Sequence, residues 1–148
     1  MARATTANFH QMVLEVETTP GSGVYSKICG LTSRSINRQS NMATTEVPDC
    51  SDESLPASLE RAVQSQECTI SASGVWAAES HGTLYDWWAS GATRNIRIAH
   101  LNASVGSPEY ESGPAYLVSL NNTAERGQKV TGELSIEFDG IPTVTDKA

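Results

Sequence analysis

The sequence predicts a mainly β protein: an antiparallel β-sandwich or barrel with one flanking α-helix and a long loop. Several segments alternate apolar and polar residues with period two, the mark of strands buried on one face. One stretch, Glu79–Gly91, carries apolar residues at helical spacing. Turn residues return at short, hairpin-like intervals, which favours antiparallel pairing over a helix-covered parallel sheet. The 148 residues fit a single domain, 1–148, with an arm at 1–11, a loop at 42–58 and a tail at 140–148.

Residues 1–11 are polar and small. In Met12–Thr18, Met12, Leu14 and Val16 share one face and Val13, Glu15 and Glu17 the other, which predicts a half-buried strand. Pro20-Gly21-Ser22-Gly23 makes a turn, since proline fixes φ and glycine tolerates positive φ. Val24–Ile28 is then the second strand of a hairpin. After a break at Gly30, Leu31–Asn41 alternates weakly, with Arg34, Ile36 and Arg38 opposite Ser33, Ser35 and Asn37. Such a strand suits a face turned to water or to a partner subunit. The following stretch, Ala43–Ser58, holds Glu46, Pro48, Asp49, Asp52, Glu53 and Pro56 and no Lys or Arg, and its prolines argue against a strand or helix interior. A loop of that length in a compact domain calls for a function or for disorder.

Gln66–Ala77 is the clearest strand, with Cys68, Ile70, Ala72, Gly74 and Trp76 on one face. In the helix, Ser80 is the expected cap and Gly91 the terminating glycine. Leu84, Trp87 and Trp88 form a narrow apolar stripe that, with Trp76, is expected to pack helix on sheet. Arg94–Leu101 is a strand, Asn102–Gly113 a polar loop, and Ala115–Leu120 and Lys129–Asp139 the last strands. In the final one Val130, Leu134, Ile136 and Phe138 point inward while Thr131, Glu133, Ser135 and Glu137 point outward. The sum is about six or seven strands and one helix.

Charged residues make up only 18% of the chain and the net charge is −7. A protein that grips nucleic acid needs Lys and Arg in excess to neutralise phosphates, so that class is excluded; a surface that lets DNA pass is not. Cys29, Cys50 and Cys68 are an odd set without a C-x-x-C pair, which speaks against a zinc knuckle, a thioredoxin motif or a secreted disulfide framework. The first residues lack the apolar core of a signal peptide, and no stretch approaches the roughly 18–20 apolar residues of a membrane span. A soluble protein made in a reducing cytoplasm is expected.

Catalytic chemistry finds little support. His10, His81 and His100 are scattered, and each reads as a structural or surface histidine. Ser71-Ala72-Ser73-Gly74 lacks the glycine that precedes a nucleophile elbow, and Gly21-Ser22-Gly23 lacks the third glycine and helix of a dinucleotide loop. Asp49, Asp52 and Glu53 are hard oxygen donors, but not at EF-hand spacing. No cofactor or metal is expected. Assembly is better supported. Arg34 and Arg38 stand just before the acid-only stretch with Glu46, Asp49, Asp52 and Glu53. In a monomer this is charge scatter; in a repeating assembly the two patches are complementary and fix register between copies.

The order of features carries a family resemblance. An arm, a hairpin and the Gly30-Leu31 strand lead to Thr44-Thr45-Glu46-Val47-Pro48-Asp49. The strand Thr69–Trp76, with its Ser71-Ala72-Ser73-Gly74 run, precedes the helix Leu84–Gly91 and the strand Ile96-Arg97-Ile98. Val130–Phe138 is followed by Asp139-Gly140-Ile141-Pro142-Thr143. In this order, from Phe9 to Thr143, the chain resembles the major tail tube proteins of tailed bacteriophages, of the siphophage and gene transfer agent type. Cys50 and the Trp87-Trp88 pair are not part of that pattern.

The resemblance implies a structural virion protein and not an enzyme. Copies would form hexameric rings with a shared inner β-barrel and the helix outside, stacked into a hollow tube that conducts the phage genome into the host. The loop at 42–58 and the arms would reach neighbouring rings, through Arg34, Arg38, Glu46, Asp49, Asp52 and Glu53. Glu133 and Glu137 are candidates for the lumen, and equally for an outward solvent face. The implied partners are other copies, tail terminator, tape-measure and distal tail proteins, and passing double-stranded DNA without specific binding, with no membrane insertion. The implied place is the virion tail, after assembly in the host bacterial cytoplasm. Two alternatives stand beside this: the tube of a contractile tail or type VI secretion-like system, and a monomeric β-sandwich module that binds a ligand such as carbohydrate through exposed aromatics.

Overall fold

The computed structural model describes residues 2–148, so Met1, the first residue of the expected arm, lies outside the described residues. A short 3-10 turn, Phe9–Gln11, leads into β1 (Met12–Glu17) and β2 (Tyr25–Lys27), then β3 (Leu31–Val47) and β4 (Ser58–Val75). The helix α1 (Ala78–Ser90) follows, then β5 (Arg94–His100), β6 (Pro108–Thr123), β7 (Thr131–Phe138) and β8 (Thr143–Asp146). Neighbouring strands are antiparallel throughout, in the order β2-β1-β5-β6-β7-β4-β3, with β8 also on β6. None of the described helices is long and apolar enough to cross a membrane.

The pivot is β6. Its first half pairs with β5 and β8, and its second half pairs with β7. The single sheet therefore folds into two layers that share this strand. The layers meet where Leu14 and Ile98 approach Ile36 and Ile70 around a small apolar gap. Leu14, Ile70, Ile96, Ile136 and Trp87 are the largest buried side chains of this core. Period two explains it: in β7, Leu134 and Ile136 are buried while Glu133 and Glu137 are exposed. The alternation fails in β1, where Val13 and Glu17 are buried as well. Glu17 is tolerated there because its carboxylate accepts the N–H groups of Gly21 (2.7 Å) and Gly23 (3.1 Å), closing the β1–β2 turn.

Five expectations are corrected. The segment 42–58 is not one long loop. Residues 42–47 complete β3 and pair from Met42↔Val63 to Val47↔Ser58, leaving the connection at 48–57. Pro48 and Pro56 both fall outside the ladder, where a missing N–H does no harm. The loop expected over Asn102–Gly113 ends at Pro108, the first residue of β6, and the tail at 140–148 contains β8, held against β6. Ser80 does not cap the helix: Ala77 occupies that position without a side-chain bond, and the Ser80 hydroxyl accepts the Cys29 N–H at 3.0 Å. Val130 is exposed ahead of β7 instead of pointing inward. Gly91 does end the helix in the left-handed conformation, with φ 66°.

One close approach fixes the start of β3. The Val75 N–H donates to the Gly30 carbonyl at 2.9 Å. A Cβ on Gly74 would stand 2.2 Å from that same oxygen, so only glycine lets the two backbones meet.

Candidate functional site

The layer β3-β4-β7-β6 has two open edges. β3 ends the sheet and has no partner on its outer side among the described residues. Along β6, the edge facing β5 is paired only as far as Ala115, so Tyr116–Thr123 is open on that side. The two edges run in opposite directions, because the strands between them alternate. Long unpaired edges are templates for another chain.

The outward face of this layer is mostly hydroxyl and amide, with exposed Tyr116 and Val118 at its β6 edge. Ser33, Ser35, Asn37 and Gln39 of β3 continue across into Glu67, Thr69, Ser71 and Ser73 of β4, as the register requires. Glu133, Ser135 and Glu137 of β7 follow, then Ser119 and Asn121 of β6. Its charges are the carboxylates of Glu67, Glu133 and Glu137, with no Lys or Arg among these positions. The serines and Glu133 surround a shallow depression. The sequence shows the serine alternation within β3 and within β4, but not that the strands lie side by side.

Beyond Gln39 and Glu67 the same two strands leave the sandwich as a free arm. A bulge between Asn41 and Met42 sits at its base. Met42, Leu59 and Val63 are about half exposed, as is Leu55 in the connecting loop. The acids predicted for assembly occupy its end. Asp49 accepts the N–H groups of Ser51 (2.8 Å) and Asp52 (2.9 Å), and Asp52 accepts from Ser54. The backbone amides of Asp52 and Ser51 hold the Asp49 carboxyl below its ordinary range, and the Ser54 hydroxyl and N–H do the same for Asp52. Glu46 and Glu53 are exposed.

Both predicted arginines are engaged inside their own chain. Arg34 donates to the Phe9 carbonyl at 2.8 Å, and its guanidinium sits 3.9 Å from the Phe9 ring centre. Arg38 makes a two-pronged bond to Glu111 of β6, with its Nε 3.0 Å from Oε1. His100 lies 3.4 Å from the same carboxylate. Burial pushes the Glu111 carboxyl up, but the bond to Arg38, its charge and the contact with His100 outweigh that and leave it below the ordinary carboxylate range. The bond to Glu111 in turn raises Arg38, and burial pushes the adjacent Cys68 thiol up. Each guanidinium is thus oriented by a partner within its own chain, and Arg38 remains half accessible at the surface. Sequence reading missed Glu111, and the partner of the structural His100, because their spacing from Arg38 carries no local signal.

The helix packs on the core through Leu84 and Trp87, both buried. Trp76 lies against Gly132, whose missing Cβ would sit 2.8 Å from the indole. Trp88, expected in the packing stripe, stands 50% exposed. It belongs to a row on the flank of α1: Trp76 and His81 rings 4.9 Å apart, His81 and Tyr85 6.0 Å, Tyr85 and Trp88 6.2 Å.

The phage tail tube protein family matches residues 6–144, and the chain belongs to that family. It is a structural protein of the phage tail tube, a part of the virion, and not an enzyme. Three solved structures share the fold. The chain is similar to the subunit in the sixfold-symmetric tail of an empty gene transfer agent particle, with TM-score 0.75 and 18% identity over 95% of this chain and 99% of that one. It is similar to a chain of the native gene transfer agent virion, at 0.70 and 15%, over 95% and 99%. It is also similar to the SPP1 tail tube, at 0.68 and 9%, over 96% of this chain and 81% of that one. No curated protein sequence matches the chain.

Proposed function

We propose that copies join side by side, the open edge of β3 in one copy against Tyr116–Thr123 of the next, into hexameric rings that stack as a hollow, non-contractile tube for the phage genome. The observation that carries this reading is the four-stranded layer with two open edges of opposite direction. Adding the β3 of a second copy beside β6 keeps every neighbour antiparallel, so a ring closes with no edge left over. The sixfold symmetry of the related gene transfer agent tail supports six copies. Six four-stranded layers at about 4.8 Å per strand give a wall about 37 Å across before strand tilt widens it, room for a duplex to pass.

In this ring the serine-rich face lines the channel, with Glu133 and Glu137, as well as Glu67, toward the lumen. Carboxylates repel phosphates and hydroxyls offer no fixed grip, so double-stranded DNA slides without specific binding. The arm, with Glu46, Asp49, Asp52 and Glu53, bridges rings. Tail terminator, tape-measure and distal tail proteins complete the tail, which assembles in the host bacterial cytoplasm. Electron microscopy of the purified protein tests the reading: rings or tubes with a central channel are expected, and a chain that stays monomeric at high concentration overturns it.

A further inference from the structure

We infer that the aromatic row on α1 and the β6–β7 turn form the seat for the acidic arm end of a second copy in the adjoining ring. The inference rests on the stacked-ring reading and names the surface that receives the arm. β3 and β4 carry the arm at one end. At the other end stand Val75, Trp76 and the turn 124–130, tied together by the Trp76 N–H donating to the Val130 carbonyl at 2.8 Å. Closed rings with all copies pointing the same way stack only by joining two different surfaces, one from each end.

Reach, shape and charge agree. From the Arg38–Glu111 anchor to Val47 the arm spans about 30 Å at strand rise, enough to overlap the next ring. The seat is apolar and exposed: Tyr85 and Trp88 are 51% and 50% accessible, and Val75 beside Trp76 is 48%. A contiguous exposed aromatic patch marks an interaction surface. The turn bonded to Trp76, at one end of the row, carries exposed Arg126 and Lys129 against one acid, Glu125. Glu79 and Asp86 of α1 fall roughly 130–150° around the helix from the row. The arm end offers the complement: Glu46, Asp49, Asp52 and Glu53 without a cation, and half-exposed Leu55 and Leu59. Leucines on the aromatic row with acids over Arg126 and Lys129 make an apolar centre with a charged rim.

The test uses the full chain, electron microscopy and sedimentation. Arg126→Glu with Lys129→Glu is expected to leave rings intact and shorten tubes about tenfold or more. Adding Glu46→Lys with Glu53→Lys to the same chain is expected to restore length, since the pairing is reversed and not removed. Tyr85→Ser with Trp88→Ser, at exposed positions, is expected to shorten tubes without salt dependence, and ring formation reports that each variant folds. Tubes of wild-type length from both the charge-reversed and the serine variants overturn the seat, as does failure of the charge swap to restore length. A wild-type chain that forms no rings overturns the ring reading and this inference with it.

Discussion

β3 and β4 form one antiparallel ladder, bulged between Asn41 and Met42, through two environments. At the root, from Leu31 to Arg38 and from Cys68 to Val75, one face is core: Ile36 opposes Ile70 and Arg34 opposes Ala72. In the arm, from Gln39 to Val47 and Ser58 to Glu67, the hydrogen-bonded pairing continues, but both faces are exposed apart from Asn41 and Val47. A free two-stranded ribbon is marginal on its own. Cross-strand bonds such as Asn41 to Ser65 (3.0 Å) and Gln66 to Ser40 (3.2 Å) give small help. Antiparallel pairing of the same two strands therefore yields stability at one end and a surface awaiting a neighbour at the other. The side chains decide which.

The comparison is broken most strongly at the root. Ile70→Ala, at a residue 2% accessible, is expected to destabilise the unassembled protein by about 2–5 kcal/mol in denaturant titration. Leu59→Ala in the arm is expected to change it by less than about 0.5 kcal/mol. Gly74→Ala drives a methyl into the Gly30 carbonyl and is expected to cost about 1–3 kcal/mol, read the same way.

The junction between the two regions is the Arg38–Glu111 pair. Glu111→Gln is expected to cost about 1–2 kcal/mol at neutral pH, less than a fully buried pair because the Arg38 side chain is 51% accessible and screened. The folded carboxyl sits below its unfolded value, so its contribution is complete above the ordinary carboxylate pKa. It is lost as pH falls through the lowered folded value. The wild-type and Glu111→Gln denaturation midpoints are thus expected to converge in acid; a constant gap would remove Glu111 from this role.

The smallest effect on stability carries the largest effect on assembly. Replacing residues 46–59 by Asn-Gly joins Thr45 to its partner Glu60 through a two-residue hairpin turn. Stability of the unassembled chain is expected to shift by no more than about 0.5 kcal/mol, while rings persist and long tubes disappear under the microscope. Tubes of normal length would show that the arm does not bridge rings.

Much of the fold was legible where a local rule operated. Period two placed β1, β5 and β7, and Gly91 marked the helix end. The reading failed where partners lie far away. The acids and prolines around 46–56 resemble a loop, yet residues 42–47 are strand because 58–63 lie opposite them. β8 sits in a polar tail and is held by β6 across more than thirty residues of chain. Trp88 has helical spacing suited to the core, but Leu84 and Trp87 claim the buried side and leave it on the flank. For the site, Glu133 and Glu137 were visible as one polar face; its continuation into the serines of β3 and β4 was not.

By itself the sequence determined a mainly β chain with one helix, a net charge of −7, an acid-only segment and the family order of features, because these follow from composition and short-range periodicity. Tertiary structure alone decided that the acid-only segment ends a long arm, that Arg34 and Arg38 are held within the chain, and that the four-stranded layer has two open edges. Those outcomes depend on which distant strand lies alongside, and backbone hydrogen bonding between strands is blind to local sequence until the whole sheet is assembled.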